Sequence, residues 1–133
     1  MTIRIAINGF GRIGRSVFRI LQRRDDVEVV AINDLFDNEA LAYLLKYDTV
    51  MGIFEQSVSY EDNKLLVGGK EIIMSKVRDP AEAKWGDLGI DVVVESTGVF
   101  RERSALEKHL AAGAKRVLLT VPPKDEIDAM VVY

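Results

Sequence analysis

Residues 3–34 read IRIAINGFGRIGRSVFRILQRRDDVEVVAIND, and this stretch decides the fold. Residues 3–8 and 27–32 are mostly apolar runs of strand length. Between them lie a glycine-rich turn at residues 9–14 and a run with helical spacing at residues 13–23. Strand, turn, helix and strand in this order predict a βαβ unit with parallel strands and a right-handed connection.

The turn has the spacing G-x-G-x-x-G, formed by Gly9, Gly11 and Gly14. Gly9 allows the tight turn, Gly11 allows a pyrophosphate to approach the backbone, and Gly14 allows the helix to pack on the strand. Asp34 ends the second strand, where a carboxylate accepts hydrogen bonds from a ribose. Ordinary strand–helix turns also contain glycines, but the flanking strands and Asp34 favour a dinucleotide bound at the helix N-terminus.

The composition is typical of one globular domain: 133 residues, 48% hydrophobic and 29% charged. The net charge of −3 argues against a nucleic-acid partner bound through bulk electrostatics. The absence of cysteine excludes a disulfide, a thiolate metal site and a cysteine nucleophile within this chain. There is no apolar run of transmembrane length and no signal-peptide pattern at the N-terminus, which predicts a cytoplasmic protein without membrane contact.

The rest of the chain continues the α/β pattern. Residues 38–47, with Leu41, Leu44 and Leu45 on the apolar side, and residues 102–112, with Leu106 and Leu110 inward, predict helices. Residues 90–95, 116–121 and 127–133 predict strands. Short alternating runs around turn dipeptides predict a small antiparallel excursion near residues 54–78, at one edge of the sheet. We therefore expect a single domain, residues 1–133, with a Rossmann-type, doubly wound, mainly parallel sheet.

Two expectations concern which side chains are buried. The first helix is expected to bury its apolar residues, which are Ile13, Val17, Ile20 and Leu21. Most of the arginines in this region are expected to form one solvated face; they are Arg12, Arg15, Arg19, Arg23 and Arg24. His109, the only histidine, is expected to be a surface or partly packed helix residue away from the strand ends.

Ligands of such sheets bind at the carboxyl ends of the parallel strands. Four segments meet that condition: residues 9–14, 33–34, 96–98 and 120–122. Each alone is compatible with a loop that satisfies its own backbone, but together they predict a shared cleft. Neither a metal site nor a hydrolase triad has support from the spacing of the acids and of the single histidine.

Five segments resemble the phosphorylating glyceraldehyde-3-phosphate dehydrogenase family in order and spacing: NGFGRIGR at 8–15, AIND at 31–34, YLLKYD at 43–48, ESTGVF at 95–100 and KDEIDA at 124–129. The resemblance implies a cytoplasmic glycolytic oxidoreductase and an NAD-binding domain of Rossmann type. It implies pyrophosphate contacts from the Arg12 and Ile13 backbone, ribose contacts from Asp34, and a place near the nicotinamide ribose for Thr120. The cofactor-binding residues that it implies are Gly9, Phe10, Gly11, Arg12, Ile13, Asn33, Asp34, Arg78, Ser96, Thr97, Gly98, Phe100 and Thr120, with Arg78 and residues 96–100 beside the adenine.

The family's catalytic cysteine, its partner histidine and its phosphate-binding residues belong to a second domain that this chain does not contain. The resemblance therefore implies a cofactor platform without catalytic residues, which binds NAD without turnover, and a homo-oligomer only for the complete enzyme. An excised domain and a natural truncation remain open, as do the cofactor domain of erythrose-4-phosphate dehydrogenase and a non-enzymatic nucleotide-binding or interaction module.

Overall fold

The computed structural model describes residues 2–131, which form nine strands and three helices. The helices are α1 (Arg12–Leu21), α2 (Asn38–Lys46) and α3 (Arg103–Ala111). The strands are β1 (Ile3–Asn8), β2 (Val27–Asn33), β3 (Tyr47–Asp48), β4 (Gly52–Ile53), β5 (Val58–Glu61), β6 (Lys64–Val67), β7 (Lys70–Ser75), β8 (Val92–Glu95) and β9 (Arg116–Leu119). Two short 3-10 helices, Pro80–Glu82 and Trp85–Leu88, connect β7 to β8.

Seven strands form one sheet in the order β5-β6-β7-β2-β1-β8-β9. The five strands from β7 to β9 run parallel, whereas β5, β6 and β7 pair antiparallel at one edge. The prediction of a mainly parallel, Rossmann-type sheet with an antiparallel excursion is confirmed. The chain leaves β1 toward β2 on one side and later returns to β8 on the other, so the strand order reverses at β1. That reversal opens a crevice at the carboxyl ends of β1 and β8, where sheets of this kind bind ligands.

Alternate residues of the central strands point to two cores, as the period of two in a strand requires. Ile5 and Ile7 face the larger core, which contains Phe10 and Phe18 and lies on the side of α1 and α2. Ala6 and Ala31 face a smaller core around Trp85, on the side of the 3-10 helices. The sheet is therefore covered on both faces, which holds the ends of its parallel strands in fixed positions.

The buried face of α1 differs from the predicted one. Ile13 and Ile20 are 50% and 58% exposed, whereas Gly14, Phe18 and Arg19 are buried. Arg19 is 5% exposed because its guanidinium donates to the carbonyl oxygens of Leu45 at 2.7 Å and Gly52 at 3.0 Å. Arg19 is therefore an exception to the expected solvated arginine face, because its acceptors lie in segments distant in the sequence.

Two other expectations about packing and one about a strand need correction. Leu44 and Leu110 are exposed, because the faces that pack inward are centred on Leu41 and Leu45 in α2 and on Leu106 and His109 in α3. Residues 127–131 form no strand, and residues 132–133 of that predicted strand lie outside the described part of the chain. Among residues 2–131, no helix has both the length and the apolar character needed to cross a membrane.

Candidate functional site

A groove of about 520 Å³ lies at the carboxyl ends of β1, β2 and β8, a volume within the usual range for small-molecule sites. Its walls come from the glycine turn, from the end of β2 and from the segments after β7 and β8. The residues that line it are Asn8, Gly9, Gly11, Asn33, Asp34, Leu35, Phe36, Val77, Arg78, Ser96, Thr97, Val99 and Phe100. The structure thus brings three of the four predicted strand ends together in one groove.

The glycine turn is shaped by close contacts on one side and open space on the other. A Cβ atom at Gly9, whose φ is +95°, would lie 2.7 Å from the backbone nitrogen of Thr97. A Cβ atom at Gly14 would overlap the carbonyl oxygen of Gly9, whereas one at Gly11 would meet nothing within 4 Å. Gly9 and Gly14 are therefore required by the protein's own packing, and Gly11 leaves room for a ligand against the backbone.

The N-terminus of α1 opens beside this turn. Gly11 is the N-cap, and within the described chain no side chain caps the helix. The first N–H groups of a helix lack intrahelical partners and carry the positive end of the helix dipole. Arg12 is exposed, and Arg15 donates from Nη1 to the carbonyl oxygen of Phe10 at 3.0 Å. Burial lowers the pKa of Arg15, although it remains a cation, so the turn has a positive environment that suits a phosphate group.

Asp34 connects the end of β2 to the glycine turn. Its Oδ2 accepts a hydrogen bond from the backbone N–H of Phe10 at 2.7 Å, and its Oδ1 accepts one from the N–H of Phe36 at 2.9 Å. A carboxylate has about four acceptor positions, so each oxygen can accept a further hydroxyl group from the groove. The Phe10 side chain itself is buried against Phe18, and only its backbone belongs to the site.

Ser96 and Thr97 join the opposite wall to the turn. Ser96 Oγ donates to the carbonyl oxygen of Gly9 at 2.7 Å. Thr97 donates to Glu95 Oε2 from its backbone nitrogen at 3.0 Å and from its hydroxyl at 2.6 Å. Gly98 follows with a φ of +77°, a conformation that favours glycine. Ser96 and Thr97 therefore line the groove, and their hydroxyl groups also make the hydrogen bonds that fix its walls.

Arg78 and Phe100 line the groove on its two sides, on the segments that follow β7 and β8. Thr120 is not among the residues that line it. Thr120 follows the last residue of β9, and its backbone N–H and its hydroxyl both donate to the carbonyl oxygen of Glu95, at 3.2 and 3.3 Å. Eleven of the thirteen sequence-predicted residues thus line the groove or belong to its glycine turn. Gly98 lies in the 96–100 segment beside the lining residues Thr97 and Val99, and Thr120 lies one strand away.

Sequence reasoning missed a hydrogen-bonded row of polar side chains at the strand ends, of which Asn8, Asn33 and Glu95 are buried. Ser75, Asn33, Asn8 and Glu95 end the neighbouring strands β7, β2, β1 and β8, and each is hydrogen-bonded to the next at 2.6 to 2.8 Å. Register explains the contacts, because Asn8 pairs with both Asn33 and Glu95, and Asn33 pairs with Ser75. The available signal was the set of polar residues that ended each apolar strand run.

His109 completes this row and corrects the expectation of a surface or partly packed residue. It is 0% exposed, and its Nε2 lies 2.8 Å from Glu95 Oε1, at a strand end. Trp85 Nε1 donates to its Nδ1 at 2.9 Å. The position three residues after Leu106 on the inward face of α3 was the sequence signal for its burial. In residues 2–131, no three His, Cys, Asp or Glu side chains are grouped as metal ligands.

The fold and this groove define an α/β domain of the Rossmann class. A family model described as "Glyceraldehyde 3-phosphate dehydrogenase, NAD binding domain" matches residues 3–103, and the chain belongs to that family. It is 54% identical over 125 residues to glyceraldehyde-3-phosphate dehydrogenase of Salmonella typhimurium. The aligned residues make up 94% of this chain and 38% of the relative. Glyceraldehyde-3-phosphate dehydrogenase A of Escherichia coli is 53% identical with the same coverage.

A relative from Trypanosoma brucei brucei named "Glyceraldehyde-3-phosphate dehydrogenase, cytosolic" is 53% identical over 126 residues, 95% of this chain and 38% of its own length. The resemblance to this family is therefore confirmed, as is the prediction that the chain corresponds to its N-terminal, NAD-binding domain. The chain spans little more than a third of the length of these relatives.

Proposed function

We propose that this chain binds NAD in the groove at the carboxyl ends of β1, β2 and β8, as the cofactor-binding part of a glyceraldehyde-3-phosphate dehydrogenase. The observation that carries the proposal is the open space at Gly11 beside an uncapped helix N-terminus in a member of the NAD-binding family. NAD supplies a nicotinamide ring that accepts a hydride. The residues of this chain supply binding and orientation.

The pyrophosphate is assigned to the glycine turn. The backbone N–H groups of Arg12 and Ile13 lie in the first turn of α1, where the helix dipole favours an anion. Gly9 and Gly14 hold the turn closed through their contacts with Thr97 and with each other, so Gly11 presents bare backbone to the ligand.

The adenosine half is assigned to the end of β2 and the walls beside it. Asp34 is positioned by the N–H groups of Phe10 and Phe36 and offers its remaining lone pairs to the ribose hydroxyls. The same negative charge repels a 2′-phosphate, which favours NAD over NADP. Arg78 and the 96–100 segment line the groove on either side of the place for adenine. Asn33 is hydrogen-bonded to Asn8 and to the backbone of Val77, and it forms the floor of the groove below the adenine.

The nicotinamide half extends from Gly9 toward the end of β9. Thr120 lies at that strand end, and we assign its hydroxyl to the neighbourhood of the nicotinamide ribose. Its hydroxyl is 3.3 Å from the carbonyl oxygen of Glu95, so the assigned contact replaces or supplements a long hydrogen bond.

The whole protein is proposed to be a cytoplasmic, homo-oligomeric enzyme that oxidises and phosphorylates an aldehyde. The names of the relatives support the enzyme class, and one that is named cytosolic supports the location; the homo-oligomer rests on the resemblance alone. The proposed nucleophile is a cysteine thiolate, and this chain has no cysteine. The catalytic domain is accordingly assigned to sequence outside these 133 residues, and the chain by itself is proposed to bind NAD without turnover.

Titration calorimetry of the 133-residue chain with NAD tests the binding proposal. The matched variant is Gly11→Val, whose side chain enters the open space in the groove and overlaps no protein atom at its Cβ. We expect the chain to bind NAD and the variant to lose at least tenfold in affinity, with an unchanged α/β circular dichroism spectrum. Equal affinities would show that the cofactor does not use this turn.

NADH absorbance in the presence of glyceraldehyde 3-phosphate and phosphate tests the absence of turnover. The chain must be purified free of host enzyme, and the Gly11→Val variant measures the background. We expect both proteins to give the same rate. A higher rate for the unaltered chain would place a catalytic nucleophile within these residues and refute the assignment to sequence outside them.

A further inference from the structure

The buried carboxylate of Glu95 lies beneath the groove and contacts both of its walls. It is 0% exposed. Its Oε1 accepts from Asn8 Nδ2 at 2.6 Å, next to the glycine turn, and its Oε2 accepts from the backbone nitrogen and the hydroxyl of Thr97 in the opposite wall. No other described side chain is hydrogen-bonded to both Asn8 and the Thr97 backbone.

We propose that Glu95 is the positioning residue of the dinucleotide groove, which sets the separation of the glycine turn and the 96–100 segment for the cofactor. The inference rests on the proposed binding of NAD and deepens it. Glu95 does not line the groove. It acts through Asn8 and Thr97, which do.

The tautomer of His109 follows from its other partner. The indole Nε1 of Trp85 is a donor only, so the Nδ1 that it contacts at 2.9 Å must be the acceptor. The imidazole therefore carries its proton on Nε2 and donates it to Glu95 Oε1 at 2.8 Å. Trp85 thus fixes the direction of the hydrogen bond that reaches Glu95 from below the sheet.

The two carboxylate oxygens of Glu95 then have four donors: Asn8 Nδ2, His109 Nε2, and the backbone N–H and hydroxyl of Thr97. Four is the number of hydrogen bonds that an ionised carboxylate can accept. A glutamine of the same length replaces one oxygen by an NH₂ group. In one orientation that group meets the Thr97 backbone N–H, and in the other it meets the donors of Asn8 and His109. Either way a buried donor faces a donor, so one wall must move. The glycine turn and the 96–100 segment then no longer lie at matching distances for one ligand.

Calorimetry with NAD on the 133-residue chain, Glu95→Gln and Leu106→Ala tests the proposal. Leu106 is buried one helical turn before His109 and does not line the groove, so its variant loses stability while it keeps all four donor groups of Glu95. We expect Glu95→Gln to weaken NAD binding at least tenfold, and Leu106→Ala to change it less than twofold. The Thr97 amide proton resonance should move in the first variant and stay in the second.

If the unaltered chain binds no NAD, the proposed function fails and the inference with it. If the chain binds NAD and Glu95→Gln binds it equally well, the inference alone is overturned. A second pair decides the matter should Glu95→Gln not fold: His109→Gln keeps an N–H donor toward Glu95, and His109→Leu removes it. We expect several-fold weaker NAD binding by His109→Leu than by His109→Gln. Equal binding by the two would reduce Glu95 to a structural residue.

Discussion

Replacing Gly14 by alanine tests the packing of the glycine turn. Gly14 is buried in the first turn of α1, and an added Cβ would overlap the carbonyl oxygen of Gly9 and lie 3.1 Å from Ser96 Oγ. The overlap is with backbone, which cannot rotate away as a flexible side chain can. Ser96 Oγ also donates to that Gly9 oxygen, so a shift of the turn strains the hydrogen bond that joins it to the opposite wall.

Two opposing terms set the size of the effect. Alanine in place of glycine inside a helix gains about 1 kcal/mol in helix propensity. Inserting an atom into a packed site costs about 1–3 kcal/mol, and more when the surroundings cannot yield. Because the obstacle is backbone, we expect the upper part of that range and a net loss of about 2 kcal/mol in the free energy of unfolding. At a urea m-value of about 1–2 kcal/mol per molar, the midpoint falls by roughly 1–2 M.

The assay is urea unfolding followed by the fluorescence of Trp85, the only tryptophan in the chain. Gly11→Ala is the control, because its φ is in the ordinary region and its Cβ meets nothing within 4 Å. The control should unfold within about 1 kcal/mol of the unaltered chain, because alanine is a poorer N-cap than glycine but meets no steric obstacle here. A midpoint for Gly14→Ala equal to that of Gly11→Ala would refute the close approach of α1 to β1.

Three further predictions concern charged residues. Arg19→Met should lower the free energy of unfolding by about 1–3 kcal/mol, because buried carbonyl groups lose their donor. Arg23→Met is the control and should change it by less than about 0.5 kcal/mol, since Arg23 forms an exposed ion pair. Equal urea midpoints for the two variants would contradict the burial of Arg19. Hydrogen bonds from the backbone N–H groups of Met51 and Val50 lower the pKa of Asp48 in the folded chain. Asp48 therefore contributes fully to folding stability above its usual pKa of 3.8, and that contribution is lost as the pH falls through the lower pKa of the folded state. The difference in free energy of unfolding between the unaltered chain and Asp48→Asn should therefore shrink below about pH 4. A difference that grows as the pH falls would contradict the lowered pKa of Asp48. Asp34→Ala should narrow the preference for NAD over NADP by about 1–3 kcal/mol in calorimetry, and an unchanged preference would remove Asp34 from ribose binding.

The features that the sequence predicted correctly are those set by local pattern. The G-x-G-x-x-G turn, the apolar strand runs and the turn dipeptides at 62–63 and 68–69 each determine a short stretch of backbone. Such patterns located the glycine turn, the antiparallel excursion and three of the strand ends that form the groove. Their arrangement then follows from the right-handed crossover rule for parallel strands.

The features that the sequence did not reveal depend on partners distant in the chain. Arg19 looked solvated because the carbonyl groups that satisfy its guanidinium lie 26 and 33 residues away. His109 looked peripheral because its partners are Glu95 and Trp85, 14 and 24 residues away. A polar side chain is buried where the tertiary structure supplies a partner, and helical periodicity carries no information about that partner.

The pairing of β1 has a consequence for the order in which the chain acquires its site. β1 pairs with β2 across a separation of 24 residues, as in Ile3 with Val27, but the bond from Asn8 to Glu95 spans 87. During synthesis from the N-terminus, the glycine turn emerges well before its opposite wall. Closing so long a loop is slow compared with forming the βαβ unit. We therefore expect a nascent chain to have an incomplete phosphate-binding site until β8 joins the sheet, and to retain its ligand only after that step.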